Sequence, residues 1–253
     1  MILVDSNEDP KEEAGFIQSL RARQVDGLII CSSGDNKSIY EEAQESNFPI
    51  VFADRLVSYV DADMVLVNDY QGAYIATEHL IKLGHNNIGL VIPPVRSLST
   101  RSERLAGYKQ ALGDYNIAVN EDFINYVEPG NGEVALKSIE EFIKVNRQLT
   151  AVFATNTLLG LQLLKVIKAE KLQIPKDMAV IVFDEVPWVP LLDPPLTTVS
   201  HPALEQGEAA ADMLLKKMRA TKVRRPKKVL IEPTLNIRES CGYQLKNGYS
   251  RLS

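Results

Sequence analysis

Residues 151–183 read AVFATNTLLGLQLLKVIKAEKLQIPKDMAVIVF. Ala151-Val152-Phe153-Ala154 and Ala179-Val180-Ile181-Val182-Phe183 are short runs with no polar face. A strand of that kind is buried on both sides. The run 157–170 between them is long enough for a helix, and a helical crossover is what joins two parallel strands. This unit sets the class: an α/β chain whose parallel sheet carries helices on both faces.

The same alternation extends outward in both directions. Strands are expected at 2–4, 26–30, 49–53, 64–67, 88–92, 123–127 and 197–199. Helices are expected at 8–23, 37–46, 71–83, 101–112, 133–146 and 204–219. Asn7 is the candidate cap of the first helix, with Pro10 in its first turn. Gly84 stops the helix at 71–83. The run 229–237 closes the folded part. A chain of 253 residues is comfortable for two lobes of ~100–150 residues each.

Composition excludes several classes. At 45% hydrophobic residues, too much apolar surface is available for a disordered chain. No apolar run approaches the ~20 residues that span a bilayer, and no leader pattern points to secretion. A net charge of -5 argues against a dominant nucleic-acid surface. The densest basic stretch, Lys222, Arg224, Arg225, Lys227 and Lys228, reads as a solvated loop. Cys31 and Cys241 are far apart and unpatterned, which fits a reducing compartment. Three histidines and no Cys-x-x-Cys give a metal site little material. No Gly-x-Gly-x-x-Gly loop, P-loop or nucleophile motif supports an enzyme, so neither catalytic residues nor a cofactor are expected.

Open parallel sheets place functional residues at the carboxyl ends of their strands. Here those ends are Cys31-Ser32-Ser33, Asp54-Arg55, Asn68-Asp69, Asn156 and Asp184-Glu185. Such a lining suits a neutral, hydroxyl-rich ligand, because a hydroxyl both donates and accepts. Each residue could equally cap the helix that follows it. Trp188, the only tryptophan, could stack on a sugar face or pack under the proline-rich stretch 187–195.

Six segments together resemble one family. They are 25–30 (VDGLII), 76–85 (ATEHLIKLGH), 104–108 (RLAGY), 150–156 (TAVFATN), 193–199 (DPPLTTV) and 237–241 (IRESC). In this order they are similar to the effector-binding part of LacI/GalR-type bacterial transcription regulators, from about residue 5 to residue 241. The resemblance implies a type I periplasmic-binding-protein fold: two Rossmann-like lobes with parallel sheets. It places the first lobe at 1–67 with 202–231, the second at 68–201 with 232–245, and a tail at 246–253. It implies a sugar-like effector in the cleft, a cytoplasmic homodimer, and operator DNA reached only through an N-terminal helix-turn-helix that this sequence does not contain. Residues 2–4 match the family's second strand, so the first strand and helix of lobe 1 are missing from the pattern. The sheet should then show an unpaired interior edge.

The resemblance also implies contacts. Arg104 matches the arginine that reaches ligand oxygens, although it could instead bridge to its own helix. Asp184, Asn156 and Asp54 match polar ligand contacts. Asn68, Thr100, Cys31 and His201 align beside the cleft, His201 also as a hinge residue. Thr155-Asn156-Thr157 stands where the family has Ala-Asn-Asp, so one carboxylate is absent there. The aromatic that covers the ligand has no counterpart around 126–130. Cleft side chains carry little core packing, so replacing them should leave the fold intact. The alternative function is a solute-binding protein of a sugar transporter.

Overall fold

The computed structural model describes residues 1–96, 98–128, 132–220 and 225–246. The chain runs α1 (Pro10–Ala22), β1 (Leu28–Ile30), α2 (Lys37–Glu45), β2 (Ile50–Asp54), β3 (Asp63–Val67), α3 (Asp69–Lys82) and β4 (Ile88–Ile92). It continues through α4 (Ser99–Asp114), β5 (Ile124–Tyr126), α5 (Gly132–Val145), β6 (Ala151–Ala154), α6 (Thr157–Ala169) and β7 (Ala179–Phe183). It ends with β8 (Thr197–Ser200), α7 (Ala203–Arg219), β9 (Lys228–Ile231), β10 (Thr234–Asn236) and α8 (Tyr243–Lys246). Two units result. Unit 1 holds Met1–Asn68, Ser97–Thr100 and Pro202–Ile231; unit 2 holds Asp69–Arg96, Arg101–His201 and Glu232–Ser253.

Unit 1 is built on a parallel sheet of order β1-β2-β3-β9. Successive side chains of a strand face opposite ways. Phe52, Met64 and Leu66 therefore meet Ile17 of α1 and Tyr40 and Ala43 of α2 on one face. Val51, Ala53, Val65 and Ile231 meet Ala210 and Met213 of α7 on the other. Unit 2 carries the order β10-β8-β7-β6-β4-β5, parallel except where β10 meets β8. Val152, Ala154, Val180 and Val182 pack against α5 and α6. Ala151, Phe153, Ile181 and Phe183 pack against α3 and α4. The double-sided apolar strands are therefore explained by helices on both faces.

Three expectations change. Residues 2–4 form no strand, and Met1, Ile2, Leu3 and Val4 are exposed. No neighbouring ladder receives them, so water takes their backbone groups. β1 is consequently an edge strand, and Ile29 at its centre is 44% exposed. The cap of α1 is Asp9, not Asn7: its carboxylate accepts from the N–H groups of Lys11 (2.7 Å) and Glu12 (3.2 Å). Asn7 and Glu8 instead turn the chain with positive φ of 49° and 59°. The fold also continues past 237. Ser240 donates to the Val180 carbonyl at 2.6 Å and accepts from the Thr197 N–H at 2.8 Å, which locks the IRESC segment to β7 and β8. Of the basic stretch, Arg225, Lys227 and Lys228 are exposed, while Lys222 and Arg224 lie outside the described residues. So do Pro129 and Gly130 of 126–130, and 247–253 of the tail.

Candidate functional site

The RLAGY segment lies on α4, and its residue types follow from how α4 meets α3. A Cβ on Gly107 would fall 2.2 Å from the Tyr70 carbonyl oxygen, so only glycine lets the helices approach this closely. Tyr108 is buried and donates to the Ile88 carbonyl at 2.8 Å, fixing α4 on β4. One turn earlier Arg104 meets the first residue of α3. Its Nε donates to Asp69 Oδ1 at 2.6 Å, and both side chains are buried. Its Nη1 donates to the Thr155 carbonyl at the end of β6. The guanidinium lies over the Phe183 ring, 3.7 Å from the centroid, where an aromatic face attracts a cation. Gly72 makes room for that ring: a Cβ there would lie 2.7 Å from it.

Arg104 is thus held on three sides by α3, β6 and β7 of unit 2. It does not bridge to its own helix. These contacts engage Nε and Nη1 of the fork. A cation positioned in advance costs no rearrangement when an acceptor arrives. Thr155 and Phe183 directly precede Asn156 and Asp184, so Arg104 stands against both strand ends.

Asp184 takes φ 79° just past β7, and Asp54 takes φ 68° at the end of β2. Few non-glycine residues adopt this left-handed region, and Asp and Asn are enriched among those that do. Both aspartates are half-buried. The neighbouring Glu185 is already engaged. Arg238 grips it with two nitrogens, at 2.6 and 3.1 Å, and Thr198 donates to it. Burial raises its carboxyl pKa, but these bonds, Arg238 first, outweigh that and hold it below the ordinary value. His201 Nδ1 lies 3.8 Å from Asp184 Oδ1. Asn156 caps α6, accepting from the Leu159 N–H at 2.8 Å, so the capping reading holds for that oxygen. Trp188 is 38% exposed.

In unit 1, β1, β2 and β3 end side by side, which places Cys31, Asp54 and Asn68 along one edge. Ser32 and Ser33 are buried and used structurally. Buried Glu13 of α1 accepts from the Ser33 N–H (2.7 Å), Asn36 Nδ2 (2.8 Å) and the Tyr40 hydroxyl. Burial, and then Glu13, push the Tyr40 phenol well above its usual range. This network fixes the turn after β1 and leaves Cys31 exposed. Desolvation, then the Asp54 carboxylate, raise the Cys31 thiol above the usual range. Asn68 is half-buried, its N–H on the Ile231 carbonyl at 2.9 Å. Thr100 is buried in the first turn of α4 and belongs to unit 1. Asp69 and Phe183 are the residues that sequence reasoning did not select. Asp69 was visible as a strand-end polar residue, but nothing local pairs it with a cation 35 positions on. Among the described residues no group of three or more His, Cys, Asp or Glu is placed to hold a metal ion.

Two parallel-sheet units with polar strand ends define a binding-protein architecture. A model of the periplasmic binding protein-like domain matches residues 77–241. The probable HTH-type transcriptional regulator EndR of Paenibacillus polymyxa is 37% identical over 86% of this chain and 64% of its own length. The ribose operon repressor of Haemophilus influenzae is 30% identical over 97% of this chain and 73% of its own. The LacI family transcriptional regulator from Enterococcus faecium, solved with bound ribose, superposes with a TM-score of 0.79. It is 26% identical and covers 90% of this chain and 83% of that one. The chain belongs to the LacI family of transcription regulators, whose periplasmic binding protein-like domain it carries. It spans about two thirds of the length of the curated relatives. These relatives are regulators, not transporters or enzymes, so the solute-transport reading is not favoured.

Proposed function

We propose that this chain senses a small hydroxyl-rich effector, a sugar, for a LacI-type regulator, and that it performs no catalysis. The observation that carries the reading is the arginine held in advance beside two strand ends, Asn156 and Asp184. Arg104 offers donors in a rigid fork. Asp184 accepts from hydroxyls, and Asn156 both donates and accepts; Asp54, at the end of β2, is proposed as a further acceptor. The effector binds one arrangement of the protein better than another and so shifts operator affinity by linkage. Among the described residues no helix is long and apolar enough to cross a membrane. A thermal-shift screen against monosaccharides, disaccharides, sugar phosphates and nucleosides tests the reading. A ligand at 100 times its dissociation constant adds about 2.7 kcal/mol. A panel in which nucleosides alone raise the midpoint would refute a sugar sensor.

The chain is also proposed to form a two-fold dimer, as suits a palindromic operator. Leu215 and Met218 of α7, and Val229 and Leu230 of β9, support α7 with β9 as a self-association face, because all four are exposed. α3 is a second candidate face, with Tyr70 its exposed large hydrophobic side chain. Sedimentation at tens of micromolar is expected to give a dimer, and Leu215→Glu with Leu230→Glu a monomer. A monomeric unaltered protein would dismiss the dimer.

A further inference from the structure

No acidic residue stands between Asp212 and Glu232, and the densest basic stretch of this acidic chain lies between them. Unit 1 gathers that stretch at one end of its sheet. Asp63, the first residue of β3, is 1% exposed and ties down both sides of the stretch. Lys217, in the last turn of α7, places Nζ 3.4 Å from Asp63 Oδ2 and donates to the Ile50 carbonyl at 3.2 Å. The Lys227 N–H donates to Asp63 Oδ1 at 2.9 Å. Arg219 and Arg225 each stand two residues from one of these anchors, and Lys228 opens β9 opposite Met64. Arg219, Arg225, Lys227 and Lys228 are thereby drawn to the amino ends of β2, β3 and β9.

The nearby acids are spent on other cations: Lys216 pairs with Asp212, and Lys217 with Asp63. Arg219, Arg225, Lys227 and Lys228 are exposed, and their side chains form no ion pair among the described residues. A basic residue in the last turn of a helix complements its negative end. That accounts for Arg219, but not for three cations at the start of a strand. The effector positions Asp54 and Asn68 lie at the other ends of β2 and β3, about 17 Å away along a strand of this length. An anion at the amino ends therefore leaves the effector positions open.

We propose that these four cations form a sequence-independent contact for the phosphate backbone of duplex DNA. The resemblance places sequence reading in a helix-turn-helix; this contact reads no bases and lies in the effector-binding part itself. A net charge of -5 argues against a dominant nucleic-acid surface, not against a local one. Exposed charges act over about 8 Å at physiological salt, so a phosphate meets the nearest cations and not the chain's sum. A duplex is favoured over an acidic protein for a physical reason. A protein partner needs an apolar core as well as a charged rim, whereas cations alone hold a phosphate backbone. The exposed apolar side chains here, Leu215, Met218, Val229 and Leu230, are those proposed to face a second copy, which leaves the cations as the open surface. That choice of partner rests on the dimer reading, which sedimentation tests separately.

Fluorescence anisotropy on the full chain tests this with a labelled duplex of about 30 base pairs and arbitrary sequence. Each phosphate contact adds about -0.9 to the slope of log K against log salt, so four predict roughly a 100-fold loss between about 50 and 200 mM. Gln at Arg219, Arg225, Lys227 and Lys228 together should cost at least tenfold at the lower salt and flatten the slope, at an unaltered melting temperature. Exchanging Arg for Lys and Lys for Arg at the same positions should keep the affinity within threefold, because charge is what is read. Gln at Lys137, Lys165, Lys168 and Lys176, exposed lysines of unit 2, changes the net charge equally and should cost less than threefold. Should the first variant melt early, Lys228→Gln alone decides, with a slope shallower by about one. Poly-L-glutamate should bind at least tenfold more weakly than the duplex. No duplex binding at about 50 mM salt, or equal losses in the two Gln variants, overturns the contact. Poly-L-glutamate bound as tightly as the duplex also overturns it and points to an acidic protein.

Discussion

Arg104→Ala is expected to lower stability by about 3–5 kcal/mol, the usual consequence of breaking a buried ion pair by removing one side of it. Asp69 is 1% exposed and its Oδ1 receives Arg104 Nε at 2.6 Å. The substitution also leaves the Phe183 ring without its cation and the Thr155 carbonyl without its donor. For a chain of this size each kcal/mol moves the melting temperature by about 2–4 °C. A fall of roughly 6–20 °C is therefore expected by calorimetry or circular dichroism. This reverses the sequence expectation that a cleft residue can be replaced with the fold intact. The charge explanation has its own control. Asp69→Asn in the Arg104→Ala background removes the other charge of the pair and should recover a good part of the loss, while sugar binding stays impaired. An Arg104→Ala protein that melts at the original temperature would mean that the pair contributes nothing.

How far the residues disclosed this arrangement differs between its parts. β6, α6 and β7 could be read because a strand buried on both faces has a composition no surface element shares. Gly84 was readable as a helix stop because its role is local, and its φ of 98° agrees. The failures are all cases in which a distant partner decides. Residues 2–4 have the composition of a strand, but a strand exists only when a neighbour supplies a ladder. Asp9 and Asn7 are both good caps on composition, and the turn through Asn7 and Glu8 selects Asp9. At the site, the strand-end polar residues were visible as a set. Which of them is already engaged was not: Glu185 is taken by Arg238, 53 positions later, and Ser33 by Glu13, 20 positions earlier. Arg104 stood out through its motif. That it is fixed by Asp69, Thr155 and Phe183 depends on Gly107 and Gly72 bringing α4, α3 and β7 together, which no local pattern encodes.

Asp184→Asn should weaken the best sugar of the screen by roughly 10- to 100-fold. Hydrogen bonds to a charged group contribute about 1.5–3 kcal/mol, and each 1.4 kcal/mol is a factor of ten. With Glu185 engaged by Arg238, Asp184 is the carboxylate at this strand end left for a ligand hydroxyl. Asparagine is the informative replacement because it keeps the volume and, like aspartate, tolerates the φ of 79°. It changes the acceptor alone: the amide oxygen accepts less strongly, and its NH2 can face another donor. Alanine would add backbone strain of about 1–3 kcal/mol and confuse the two effects. The melting temperature of the unliganded Asn variant should stay close to that of the original protein, since half-buried Asp184 carries little packing. The contrast with Arg104→Ala is then sharp: one substitution separates binding from stability, the other lowers both. Calorimetric titration of Asp184→Asn with that sugar decides. An unchanged dissociation constant would place the ligand away from β7, and a lowered melting temperature would show that Asp184 supports the fold.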